Sequence, residues 1–125
     1  MTETKKHILI IEDEYPLTHA LSLKFESKGF IVTTAGGGEQ AIAQTKENAY
    51  NLIILDLVMP NIDGFEVLKE IKEFTKDTPI VVWSNLSQPE DIARAKELGA
   101  WEYWTKLDTP LAMVVERAAA MIAAS

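Results

Sequence analysis

Leu52-Ile53-Ile54-Leu55-Asp56-Leu57-Val58-Met59-Pro60-Asn61-Ile62-Asp63-Gly64 sets a strand signal directly against a turn signal. Its first residues are apolar without a break. A short run of this kind, rich in isoleucine and leucine, reads as a strand buried on both faces. Met59-Pro60 and then Asp63-Gly64 read as the loop that ends it. Asp56 therefore stands at the exit of a buried strand, a place where a carboxylate is available for chemistry.

Working outward, four more apolar runs have strand character, at residues 8–11, 31–34, 80–83 and 103–104, beside 52–57 itself. Helical spacing fills the gaps. A first helix begins at Pro16, a good first-turn residue, and places Leu17, Ala20, Leu21 and Phe25 on one side. Gly29 sits where a C-terminal glycine is expected. A second starts near Gly38 and buries Ala41 and Ile42. A third, 65–74, turns Val67, Leu68 and Ile71 to one face. A fourth spans about 89–98 and ends at Gly99. A fifth runs on from Pro110 with Leu111, Val114, Val115, Ala118 and Ile122. Five β-α units in succession imply crossover connections and a parallel sheet with helices on both faces. The expected architecture is a single doubly wound (βα)5 α/β domain, with strand order 2-1-3-4-5. It fills residues 1–125 with a core of about 6–124, and no output domain is expected in this chain.

The 125 residues are 47% hydrophobic and 25% charged, which suits one soluble globular domain. Cysteine is absent, which excludes disulfides and thiolate metal sites. The polar start, and the shortness of the run at 8–11, argue against a signal or membrane helix, so a cytoplasmic location is expected. A net charge of −7 with no basic run argues against direct nucleic-acid binding. Gly36-Gly37-Gly38 lacks the Lys-Ser or Lys-Thr of a phosphate-binding loop and reads as a turn into the second helix.

In an open α/β sheet, ligands bind beyond the carboxyl ends of the strands, at the switch point of the strand order. Those ends carry Glu12-Asp13-Glu14, Ala35-Gly36, Asp56, Ser84-Asn85 and Thr105-Lys106. The order 2-1-3-4-5 sets strands 1 and 3 side by side, so Glu12, Asp13 and Asp56 gather. At a separation of roughly 5 Å and an effective dielectric near 20, each carboxylate pair repels by about 3 kcal/mol. Such a group needs a cation or a proton. All-oxygen ligands with open positions suit Mg²⁺. Ser84 can donate to a phosphoryl oxygen, and Lys106 can pair with another.

Each residue also has an ordinary reading. Asp56 can be a loop carboxylate, and Glu12-Asp13-Glu14 a solvated cap of the first helix, with Asp13 serving both ends. Lys106 can be a surface lysine, Ser84 a turn residue and Tyr103 a half-buried strand aromatic. Trp83, Trp101 and Trp104 can be core or partner-facing bulk. His7 and His19 lack partners at ligand spacing.

Taken together, the residues resemble the receiver domain of two-component response regulators, over about residues 6–124. The likeness rests on Glu12-Asp13, on Asp56 with Met59-Pro60 and Asp63-Gly64, on Ser84, and on Tyr103 ahead of Lys106. The resemblance implies that Asp56 is the phosphoacceptor, supplied by a histidine kinase or phosphotransfer protein. It implies that Asp13, Asp56 and the Val58 carbonyl hold Mg²⁺ or Mn²⁺, with Glu12 acting through a metal-bound water. Ser84 and Lys106 would contact the phosphoryl group. Ser84 and Tyr103 would form the switch, read out on the face of the fourth helix, fifth strand and fifth helix (α4-β5-α5), where homodimers can form. The domain would be a self-phosphorylating acceptor with at most weak autophosphatase activity, not an enzyme. The downstream partner is unassigned, with no membrane role.

Three departures from the family pattern stand out: Leu107 where proline usually follows the lysine, Asn85 where a small residue is usual, and Glu12 where aspartate is commoner. Val58, Asn85 and Leu86 are expected to govern access to the phosphoryl group. The departures motivate an alternative, a pseudo-receiver that keeps the fold as a phosphorylation-independent interaction module. A phosphotransfer hydrolase would want an acid two residues after Asp56, where Val58 stands.

Overall fold

A computed structural model of the chain describes residues 5–125. Five strands lie in parallel: β1 (His7–Ile11), β2 (Ile31–Ala35), β3 (Leu52–Leu55), β4 (Ile80–Ser84) and β5 (Glu102–Thr105). Their order across the sheet is β2-β1-β3-β4-β5, as expected. The helices are α1 (Tyr15–Ser27), α2 (Gly38–Glu47), α3 (Gly64–Phe74), α4 (Pro89–Glu97) and α5 (Leu111–Ala124).

Alternation along the strands divides the interior in two. Leu9, Ile11, Ile53, Leu55 and Val82 face α2, α3 and α4, packing on Ala41, Leu68, Ile71 and Ala95. Ile8, Ile10, Leu52, Ile54, Val81 and Trp83 face α1 and α5, packing on Leu21, Phe25, Val114 and Ala118. Strands buried on both sides account for the continuous apolar runs in the sequence.

Register fixes what meets at the sheet's edge. Ile11 is level with Leu55, so β1 and β3 end together, and the Asp56 N–H donates to the Ile11 carbonyl at 3.0 Å. Ser84 is level with Thr105, and the Lys106 N–H donates to the Ser84 carbonyl at 2.9 Å. Gly29 (φ 95°) and Gly99 (φ 114°) follow α1 and α4 in the left-handed region that glycine adopts without a Cβ clash.

Three expectations change in detail. The strand read as 52–57 stops at Leu55. The chain then doubles back as a short antiparallel ribbon, Val58–Met59 against Ile62–Asp63, turning at Pro60-Asn61 with Asn61 at φ 60°. The strand read as 103–104 extends over Glu102–Thr105. The first helix is capped by Glu14 without any side-chain hydrogen bond, so the capping role read for Asp13 is not made; Thr18 Oγ1 instead donates back to the Glu14 carbonyl at 3.1 Å. Among the described residues, no helix is long and apolar enough to cross a membrane.

Candidate functional site

Asp56 leaves β3 with both carboxylate oxygens engaged. Oδ1 accepts from the Val58 N–H at 3.1 Å, a local turn that sets the carboxylate's direction. Oδ2 accepts from Lys106 Nζ at 3.1 Å. The same ammonium donates to Glu12 Oε1 at 2.6 Å. Lys106 therefore reaches from the end of β5 across β4 to the ends of β3 and β1. Its side chain is only 9% exposed, so the surface-lysine reading does not hold. The Lys106–Leu107 peptide is trans.

Glu12 is buried, and its second oxygen, Oε2, has no hydrogen-bond partner. Burial pushes its carboxyl up to about 8, reinforced by the Asp56 carboxyl and opposed by Lys106. Burial acts to lower Lys106, but the two carboxylates outweigh it and hold the lysine above its ordinary value. One ammonium cannot satisfy both acids, and the residual negative charge favours a proton on Glu12. Asp13 is exposed at the rim, and Glu12, Asp13 and Asp56 each offer an oxygen within 4.8 Å of the others. An orphaned buried oxygen beside an exposed carboxylate, all hard ligands, fits a divalent cation.

Ser84 is fully buried, and its Oγ accepts from the Leu86 N–H at 3.2 Å. The Leu86 carbonyl accepts the Tyr103 hydroxyl at 2.7 Å. Burial raises the Tyr103 phenol, in part offset by Ser84 beside it. Ser84 and Tyr103 are thus joined through one backbone residue. Leu86 is half-buried against the core, Asn85 is exposed, and Val58 is 50% exposed.

Trp83 is a core residue, one of its expected roles, and it also touches the site. The Lys106 ammonium lies 5.1 Å from its ring centroid, and its indole Nε1 donates to the buried Thr109 carbonyl at 2.9 Å. The ring thus supports the ammonium on one side and fastens the loop after Lys106 on the other. Trp104 is buried and Trp101 is exposed. His7 makes a side-chain hydrogen bond with Thr33 and packs edge-on to Tyr50, while His19 stacks on Tyr15. No sequence signal placed Trp83 here, because the contact depends on how Lys106 crosses the sheet.

The fold and this cluster of acids define a class. The family described as "Response regulator receiver domain" matches residues 8–115. The chain belongs to that family, the receiver domains of response regulators in two-component signalling. It is 32% identical over 109 residues to the response regulator SaeR of Staphylococcus aureus, covering 87% of this chain and 47% of that one. It is also 32% identical over 102 residues to YkoG of Bacillus subtilis, named as an uncharacterised transcriptional regulatory protein, covering 82% and 45%. The chain spans about half the length of the curated relatives it matches.

Among solved structures, a two-component response regulator from Clostridium difficile superposes with TM-score 0.88 at 27% identity, over 95% of this chain and 97% of that one. The response regulator TrrA of Thermotoga maritima, in complex with Mg²⁺ and BeF, superposes with TM-score 0.79 at 30% identity, over 93% and 98%. A CheY-like receiver domain from Methanospirillum hungatei shares the fold, with TM-score 0.89 at 19% identity over 96% and 95%.

Proposed function

We propose that Asp56 accepts a phosphoryl group from a phosphohistidine of a histidine kinase or phosphotransfer protein. The observation that carries this is the convergence of Lys106 on Asp56 and Glu12, with Asp13 at the rim. An Asp56 carboxylate oxygen bonds to phosphorus as the donor's P–N bond breaks, and the departing imidazole takes up a proton. Asp13, Asp56 and the Val58 carbonyl would hold Mg²⁺, or Mn²⁺, with Glu12 acting through a water. When bound, the metal supplies the positive charge that neutralises the acids and the incoming phosphoryl oxygens.

Lys106 pairs with one phosphoryl oxygen as a fixed point charge. Ser84 donates its hydroxyl to another. That movement pulls on the Leu86 backbone, which holds Tyr103, so the aromatic changes place and the α4-β5-α5 face changes with it. Homodimerisation through that face, a cytoplasmic setting, a receiver domain filling residues 1–125, and the absence of a turnover reaction complete the reading. The complex of TrrA with Mg²⁺ and BeF supports it by kinship.

Incubation with acetyl phosphate and Mg²⁺, followed by intact mass, is expected to show one added phosphoryl group, absent in Asp56→Asn. An unmodified wild-type mass with no response to beryllofluoride overturns the proposal. The pseudo-receiver reading rests instead on Leu107 in place of the proline that usually follows the lysine, and on Asn85 where a small residue is usual. That reading gains if Mg²⁺ changes neither tryptophan fluorescence nor the melting temperature.

A further inference from the structure

Away from the strand ends, α2, α3 and the ribbon before α3 border an open groove of about 310 Å³, lined by Gly38, Ile42, Ile62 and Val67. A Cβ on Gly38 would lie 2.9 Å from Val67 and 3.1 Å from Ile62, so glycine is what lets α2 approach there. Val67 is buried, while Ile42 and Ile62 are half-buried, so the floor keeps accessible apolar surface. The volume is at the small end for ligand sites, about 300–1,000 Å³, and suits a single bulky side chain.

The rim is acidic throughout. Glu39, Asp63, Glu66 and Glu70 line the groove, and all four are exposed. Both ion pairs among the described residues belong to Lys106, so none of these acids has a cationic side chain within 4.0 Å. Lys46, the basic residue in the last turn of α2, is drawn over the Phe74 ring at 5.1 Å. Glu66 and Glu70 stand one helical turn apart, a like-charge spacing that costs the helix a little stability. Asp63 Oδ1 accepts from the Phe65 N–H at 2.9 Å as the cap of α3, but none of the four acids has a cationic partner, and an apolar floor ringed by them is complementary to an apolar side chain with basic neighbours.

We infer that the α2–α3 groove docks a partner protein segment bearing one bulky apolar residue flanked by lysine or arginine. The test uses ¹⁵N-labelled protein and the peptide acetyl-Arg-Lys-Phe-Lys-Arg-amide. Saturable amide shifts at Gly38, Ile42 and Ile62 are expected. Replacing the peptide's Phe by Ala weakens binding at least tenfold. So does the double variant Glu66→Lys, Glu70→Lys, with the rest of the spectrum unchanged. Glu39→Lys, on the opposite wall, weakens it as well. Both protein variants keep acetyl phosphate labelling at the parent level, so loss of Asp56 chemistry is seen separately. Shifts centred on Glu12 and Asp13, equal binding of the Ala peptide, or indifference to charge reversal overturns the inference. Concentration-dependent shifts at the same amides without peptide would assign the groove to a second copy of the chain and overturn it too.

Discussion

Lys106 closes an ion pair of 2.6 Å with Glu12 across 94 residues of chain, and both side chains are almost inaccessible to solvent. The same ammonium holds Asp56. Removing it in Lys106→Met leaves the buried Asp56 carboxylate without a counter-charge and, above about pH 8, the Glu12 carboxylate as well. Breaking a buried pair from one side costs about 3 kcal/mol. Urea unfolding without Mg²⁺ is expected to show that loss, and Mg²⁺ is expected to restore more stability to the variant than to the parent. Equal stability in the absence of metal would contradict the pairing.

Glu12 is held up to about 8 against an ordinary value of 4.5, by burial first and the Asp56 carboxyl second. The folded chain therefore binds this proton more tightly than the unfolded chain. Its contribution is fully present below the ordinary value and is lost as pH rises toward the folded value. Relative to Glu12→Gln, the parent is expected to lose stability between about pH 5 and about pH 8 in metal-free urea titrations. A difference that stays flat over that window rules the shift out.

Trp83 donates to the buried Thr109 carbonyl while its ring faces Lys106. Trp83→Phe keeps a ring but orphans the carbonyl, at a cost of about 1–3 kcal/mol. Trp83→Leu removes the ring face as well and is expected to slow labelling by acetyl phosphate more than Trp83→Phe does. Identical labelling rates in the two variants would remove Trp83 from the support of Lys106.

Gly64 opens α3 directly against Leu57, where an added Cβ would meet the Leu57 carbonyl oxygen at 2.3 Å. Backbone must move to admit a methyl group. Gly64→Ala is expected to lose about 2 kcal/mol by thermal or urea unfolding. It is also expected to weaken Mg²⁺ binding, since Val58 lies in the segment that shifts. Unchanged metal affinity in a destabilised variant would separate the ribbon from the site.

The Val58 and Leu86 side chains are hydrocarbon with no hydrogen-bonding atom, so neither can orient a water for attack on an acyl phosphate. Exposed Asn85 adds bulk beside them. The phosphorylated form is expected to persist for minutes or longer, followed by mass after the donor is removed. A half-life of seconds would mean that another group activates the water.

Much of this was legible locally. Pro16, Gly29 and Gly99 mark helix ends because φ restriction and the left-handed region are properties of single residues. The run from Leu52 to Leu55 declares a buried strand because both its faces must be apolar. The ribbon after Asp56 was not legible: two residues paired to two carry no periodicity, and although asparagine tolerates the left-handed region that Asn61 adopts at φ 60°, that marks a turn and not a strand pair. Among the site residues, Glu12, Asp13, Asp56, Ser84 and Lys106 were visible as strand-end side chains. Trp83 was not, since alternation turns it toward the α1 and α5 side.

Five β-α units, their parallel arrangement and the polar groups at one edge are all written locally in the chain, because hydrophobic period and turn chemistry are short-range. Only folding sets one lysine between two acids, lays an indole beside it, and rings an apolar groove with acids of α2 and α3. Those outcomes depend on strand register and on where long side chains point once burial removes water as a competitor. No local pattern carries that information.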